Sequence, residues 1–324
     1  MPMVLFGNSP DSLFFLLIAL AVNALFGGRW FSFLRSFHPE VLFGRLADGF
    51  DRRLNRAKRS ERNRILRGGL VVFVLGGLAV VLGVVLLDFA ARAAFGRSIE
   101  ILLLAVLIPL RPVFDEGRSL ARALKGERFL PAAFPFLAGV TKGDRHRYAR
   151  LGIENLAMRF GKDVVAPIFW FILLGLPGVF LARAARVLGQ RLGDGSARHL
   201  AFGFVPRRFD AALCLIPVRL AGLFLVAAAI FTPRAKPVQG FRVLKGEGGG
   251  AFDLHAGWPV AAMAGALDLA LGGPGSGKEG RPGASWVGSG RARAGVLDLH
   301  QALYLFAVAA FLLFGLMAAL AIAV

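Results

Sequence analysis

Residues 69–90, GLVVFVLGGLAVVLGVVLLDFA, carry no charge before Asp88. A run of this kind constrains the chain more than any other feature. About 20 apolar residues at 1.5 Å each cross the ~30 Å hydrocarbon core of a bilayer, and an uninterrupted stretch of that length is read as a membrane helix. Residues 302–324 form a second such window and residues 11–27 a third. Because the chain opens without a basic start or a small-residue cleavage site, residues 11–27 are read as a retained span rather than a signal peptide.

Two further windows are long enough but interrupted. Residues 164–182 contain Pro167, Gly175 and Pro177, and residues 209–231 contain Asp210, Pro217 and Arg219. The short run Ile99 to Leu110 is a thin return crossing. Hydrophobic residues make up 56% of the chain, above the roughly 45–50% of soluble domains. The expected fold is all-α: a polytopic integral membrane protein with about five transmembrane or re-entrant segments, forming one domain over residues 1–324.

Charge sets the expected topology. The formal net charge is +19. On a soluble chain this would suggest nucleic acid, but no helix-turn-helix, zinc finger or RRM pattern is present, and no nucleic-acid partner is expected. The cations lie between apolar windows, which points to topology and to anionic lipid headgroups. Residues 28–67 hold eleven Lys/Arg against four Asp/Glu, and residues 111–163 hold another eleven Lys/Arg. Both are expected to face the cytoplasm of a bacterial inner membrane, with the N-terminus outside. A full crossing by 164–182 would put the six arginines of 183–208 outside. A re-entrant hairpin turning at Gly175-Leu176-Pro177-Gly178 keeps them inside and is the preferred reading. Residues 142–163 read as a basic amphipathic helix with Ile153, Leu156, Ala157 and Phe160 on its apolar face and a solvated face on lipid headgroups. Residues 232–300 are a long Gly-rich loop segment with one short apolar helix candidate at 255–271.

The chemical motifs are sparse. Gly272-Gly273-Pro274-Gly275-Ser276-Gly277-Lys278 fits GxxxxGK, yet Glu279 stands where a Mg²⁺-binding Ser or Thr belongs. The strand-then-helix context is missing too, so a flexible Gly loop is the preferred reading. No two histidines have metal-ligand spacing beside an acid. Cys214 is alone and reads as an apolar filler. Asp210 and Arg219 lie nine residues apart in one window, too far for an i,i+4 pair. Each is a candidate either for snorkelling or for function.

The order of segments resembles the CobD/CbiB family, the membrane-bound adenosylcobinamide-phosphate synthases of cobalamin biosynthesis. His38-Pro39, Gly44-Arg45-Leu46 and Arg52-Arg53-Leu54-Asn55-Arg56 resemble its HPV…GR block and basic tail. Leu110-Arg111 through Leu124 is similar to its LRSL…ARAL stretch. Gly143-Asp144-Arg145, Ile153-Glu154 and Val164 to Trp170 follow its GRDT…IESLAEN…VVAPLFW block. Arg198, Phe202-Gly203, Arg208, Asp210 and Ile216 to Leu220 follow its ERY…FG…ARLDDLLN…IPARL block. Ala256-Gly257-Trp258-Pro259, Ala261 to Leu267 and Leu271 to Pro274 match NAGWPEAAMAGAL…LGGP.

The resemblance implies an ATP-driven, amide-forming ligase that joins an aminoalcohol or its phosphate to adenosylcobyric acid, with Mg²⁺ as the usual companion of ATP. Arg145, Arg198, Arg208 and Arg219 are then expected anion clamps, with His255 and Trp258 in the same substrate-binding set. Asp144, Glu154 and Asp210 are the expected catalytic carboxylates. A corrinoid ligand and other cobalamin-pathway enzymes are the implied partners. The chain also departs from the family pattern. Met158, Arg159 and Lys162 replace the polar residues of AEN…D; Arg186, Gly189 and Asp194 occupy another motif; Ala211 and Cys214 replace the second Asp and the Asn of LDDLLN; His255 and Val260 replace the Asn and Glu of NAGWPE; and Gly28 replaces an early Asp. Apolar side chains do not ligate Mg²⁺. A second expectation is therefore a non-catalytic paralogue that binds a corrinoid, a lipid or a partner enzyme.

Overall fold

A computed structural model describes residues 11–27, 39–56, 58–126, 133–137, 144–249, 257–273 and 285–323. Eleven α-helices carry the described fold: α1 Asp11–Phe26, α2 Pro39–Leu54, α3 Glu61–Arg92, α4 Gly96–Leu107, α5 Leu110–Lys125, α6 Arg145–Arg159, α7 Ala166–Leu192, α8 Phe204–Ile230, α9 Pro237–Glu247, α10 Gly257–Leu267 and α11 Val296–Ala323. A π-helical turn, Phe160–Val165, joins α6 to α7. The strands are β1 Leu271–Gly272 and β2 Trp286–Val287, paired antiparallel with Leu271 opposite Val287.

The protein is an all-α membrane protein. Among the described residues, four helical stretches are long and apolar enough to cross a bilayer: Glu61–Arg92, Arg145–Leu192, Phe204–Ile230 and Val296–Ala323. The windows at 69–90, 209–231 and 302–324 lie in α3, α8 and α11. Large apolar side chains stand exposed along α3, including Leu70, Phe73, Val81 and Val85. Exposed apolar surface on this scale fits lipid rather than water. Among the described residues, the window at 11–27 holds 16 helical residues, about 24 Å of helix. This helix packs against α4, where the buried amide Nδ2 of Asn23 donates to the Ala105 carbonyl at 2.7 Å.

The chain divides into two compact units. The first comprises Met1–Pro109, Ala166–Leu215 and Met317–Val324. Its core joins Ala47 of α2, Val71, Val72 and Leu75 of α3, Leu188 and Leu192 of α7, and Phe202. Helix α7 is broken where its sequence reads Gly-Leu-Pro-Gly. Gly175 has φ 66° and ψ −152°, a region that costs a side chain but not glycine. A Cβ on Gly178 would lie 2.3 Å from the Trp170 carbonyl oxygen, a proximity that eight residues of straight helix, about 12 Å, do not give. Beyond the break, Pro177 rests on Gly83 of α3, where a Cβ would come within 2.5 Å of the proline Cα.

The acids of α2 all turn to arginines of 183–198. Glu40 pairs with Arg183, Asp48 with Arg191 at 3.0 Å, and Asp51 with Arg198 at 2.6 Å. Arg183 is buried and needs such a partner.

The second unit comprises Leu110–Val165 and Ile216–Leu316. Every residue of α10 except half-buried Trp258 is buried, Val260 and Met263 included. Its closest neighbour is α9, where Gly240 and Gly265 meet: a Cβ on Gly265 would sit 2.8 Å from the Gly240 Cα. Regular structure thus extends further into 232–300 than glycine content suggests, because these glycines serve close helix packing rather than loops. Helix α6 also differs from the surface helix expected. Ile153, Leu156 and Ala157 are buried as predicted, but so are Arg150 and Glu154, so the helix is enclosed on its polar side as well.

Candidate functional site

In the second unit, the segments carrying the most specific sequence blocks meet around Glu154. Its carboxylate Oε1 accepts the Gly272 N–H at 2.8 Å and lies 3.8 Å from Nε of Arg150. The Arg150 guanidinium stands 4.8 Å over the Trp286 ring, a cation–π contact. Glu154 is almost fully buried. A buried carboxylate is tolerated when hydrogen-bonded and paired, and here both conditions are met. The strand carrying Leu271–Gly272 is tied to α6 through this one side chain.

Nearby in the same unit, Arg219 of α8 stands 5.3 Å over the ring of Trp258 at the start of α10. Gly248 packs against the same indole, and Gly222 against the Trp258 backbone carbonyl. The Trp258 Nε1–H is buried and meets no hydrogen-bond acceptor among the described residues, which leaves a donor beside a cation. Asp144 caps α6, its Oδ1 accepting the Arg147 N–H at 2.7 Å, the usual work of an N-terminal Asp. Exposed Arg145 donates to the Gly126 carbonyl at 3.0 Å. His255 lies outside the described residues, as does the look-alike phosphate loop from Pro274 onward.

The first unit holds the remaining candidates. Asp210 is buried, 3.8 Å from Nη1 of Arg186, and receives the Cys214 thiol at 3.7 Å. Arg208 is exposed and lies 5.5 Å over the Phe204 ring. Arg198 is committed to Asp51, and so belongs to a polar knot that single-sequence reasoning missed. Asn55 donates to Asp51 Oδ1 at 2.7 Å and to the Arg198 carbonyl at 3.1 Å. Arg64 donates to Asn55 Oδ1 at 2.9 Å. His199 stands between two acids, with Nδ1 2.8 Å from Asp194 and Nε2 3.3 Å from Asp51. The i,i+4 spacing of Asp51 and Asn55 was the visible signal; the partners from 194–199 were too distant in sequence to infer. Burial acts to raise the Asp194 carboxyl, but the Ser196 N–H, His199 and the Ser196 hydroxyl outweigh it and hold the group below its ordinary value.

A third cluster also went unread. Arg159 of α6 pairs with Asp163 at 2.8 Å and with Glu116 of α5. One guanidinium thus bridges two acids from different segments.

The sequence comparisons place the chain in a family. The family model described as CobD/Cbib protein matches residues 16–306. The chain belongs to the CobD/CbiB family. It is 31% identical over 307 residues to the cobalamin biosynthesis protein CobD of Rhizobium meliloti, covering 92% of this chain and 93% of that one. It is 32% identical over 272 residues to CobD of a Sinorhizobium species, covering 82% and 84%, and 33% identical over 278 residues to CobD of Brucella anthropi, covering 83% and 84%. No solved structure matches. The CobD/CbiB relationship makes this a cobalamin-biosynthesis protein.

The family implies ATP and Mg²⁺, and the donors in hand do not fit the ion. Among the described residues, no group of three or more His, Cys, Asp or Glu stands together as a metal site. Asp163 is held by Arg159, Glu154 by Gly272, and Asp144 caps a helix. Mg²⁺ asks for near-octahedral oxygen ligands, and each of these carboxylates already has one oxygen in a protein contact.

Proposed function

We propose that the chain acts in the cytoplasmic-side membrane step of cobalamin biosynthesis that joins an aminoalcohol or its phosphate to adenosylcobyric acid, and that it holds the corrinoid there. The observation that carries this reading is the meeting of Trp258 and Gly272 with α8 and α6 in one unit, through Trp258–Arg219 and Gly272–Glu154. Arg219 offers charge to a carboxylate or phosphate. The face of Trp258 offers apolar area, and its buried N–H a directed hydrogen bond. Arg145 and Arg208, both exposed, extend the cationic set within their own units.

The chain sits in the bacterial inner membrane as a multi-pass protein with its basic connectors in the cytoplasm. The four membrane-length helices and the cation-rich segments between them support this placement. Labelling of cysteines introduced in 52–67 and 142–163 should find both segments on the cytoplasmic side; opposite sides would refute it.

The reaction is tested by complementation. Expressed in a bacterium lacking its own adenosylcobinamide-phosphate synthase, the chain should restore cobalamin-dependent growth. A second reading, a non-catalytic family member that binds a corrinoid or partner enzyme, is favoured by one observation. Of the candidate carboxylates, Glu154 accepts the Gly272 N–H, Asp144 caps α6, and Asp210 lies beside Arg186. Absent growth with intact corrinoid binding would select it.

A further inference from the structure

We propose that the outward face of α2, together with the turn into α3, is a docking surface for the headgroups of acidic phospholipids. This rests on the membrane placement above and is independent of the corrinoid chemistry. Helix α2 is divided by charge. Its inward face buries Phe43, Gly44, Ala47 and Asp51, and its three acids are matched to Arg183, Arg191 and Arg198. The opposite face carries Arg45, Arg52 and Arg53, with Arg56 just past its end, all exposed. Positions 45, 52 and 53 fall at helical spacing on one side. Lys58 and Arg62 continue the surface into the first turn of α3, again exposed.

None of these six cations is paired with a carboxylate among the described residues, and Glu61 is the sole acid between 52 and 67. The acids that would neutralise a water-facing surface have been drawn to the other side of the helix. The knot of Asp51, Asn55, Arg64 and the Arg198 carbonyl fixes the corner between α2 and α3, so the cations are presented on a rigid mount.

The depth is right for headgroups. The apolar run of α3 begins at Gly68, and Leu66, Leu70 and Phe73 are among its most exposed residues. Arg62 lies eight residues before Leu70, about 12 Å along a helix. With Leu70 about 5 Å inside the hydrocarbon, Arg62 stands about 7 Å beyond its edge, at the outer limit of a polar layer that adds roughly 5–7 Å on each side. Basic residues beside a membrane helix attract acidic lipid at that depth.

The test uses the full chain purified in neutral detergent and incubated with equal amounts of phosphatidylglycerol and phosphatidylcholine, with bound lipid counted by native mass spectrometry. The wild type should retain phosphatidylglycerol preferentially, and rising salt should weaken that preference. R52Q/R53Q/R56Q/K58Q/R62Q should cut it by about tenfold or more, at about fivefold for each fully engaged cation. R52K/R53K/R56K/R62K should keep it. Equal retention of the two lipids by the wild type, a preference indifferent to salt, or a glutamine variant as selective as the wild type would overturn the proposal. So would displacement of phosphatidylglycerol by RNA at equal phosphate concentration, which would mark a surface for a soluble polyanion. If the glutamine variant fails to fold, as judged by its helical circular dichroism, the salt dependence of the wild type decides. Because the readout is in detergent, failure here leaves the topology and the corrinoid reading untouched.

Discussion

Glu154 and Gly272, 118 positions apart, are joined by one hydrogen bond of 2.8 Å from a backbone N–H to a buried carboxylate. That bond ties β1 to α6 and sets Arg150 against Trp286. In this arrangement Glu154 is a structural anchor for the site. Glu154→Ala should cost about 1–3 kcal/mol, the penalty for orphaning a buried donor. Glu154→Gln, which keeps an acceptor, should cost less. Thermal unfolding in detergent measures both. Unchanged melting for the two variants would return Glu154 to the list of purely chemical residues.

The contact between Gly83 and Pro177 leaves no room for a methyl group. Gly83→Ala would place a Cβ 2.5 Å from the Pro177 Cα and should destabilise the chain by about 1–3 kcal/mol. Gly77, on the same helix, has open space around it. Gly77→Ala should be neutral or stabilising by up to about 1 kcal/mol, since alanine is the better helix former. Melting temperatures that move alike in both variants would refute the packing claim.

The Asp194 carboxyl is held below its ordinary value of 3.8 by Ser196 and His199, against the opposing effect of burial. A carboxyl depressed in the folded chain stabilises it above the ordinary carboxylate range, and that contribution is lost as pH falls through the folded value. Hydrogen-exchange protection of residues 193–203, corrected for the intrinsic rate at each pH, should therefore hold down to about pH 4 and fall below it. Asp194→Asn should exchange faster at neutral pH and lose that acid dependence. An unaltered acid profile in the variant would assign the protection to other groups.

Much of the membrane architecture was legible because it depends on local composition. The runs in α3 and α11 needed no partner to be read, and Gly175-Leu176-Pro177-Gly178 marked the break in α7 by the backbone chemistry of glycine and proline alone. The charges were less legible. Counting arginines in 183–208 treated them as free, whereas Arg183, Arg191 and Arg198 are each balanced by an acid of α2 more than 140 positions away. A pairing of that range leaves no periodic trace in one sequence. The same holds for Arg159, whose partner Glu116 lies on another helix. Among the candidate site residues, Trp258 and Arg219 come together, as do Glu154 and Gly272 of the matched blocks, while Asp144 and Arg198 turn out to be engaged in holding local structure.

Arg208 is exposed over Phe204 and is available to an anion. Arg208→Ala should weaken binding of a phosphate ligand to the first unit by about tenfold or more, the range for a hydrogen bond to a charged group. Unchanged affinity in calorimetry would remove it from the binding set.

The central claim, corrinoid binding by the unit that holds Arg219 and Trp258, is measured most directly by titrating the purified chain in detergent with adenosylcobyric acid and following the visible absorption of the corrinoid. Saturable binding that weakens about tenfold or more in both Arg219→Gln and Trp258→Leu is the predicted result. No binding by the folded wild type, or binding indifferent to both substitutions, would contradict the account.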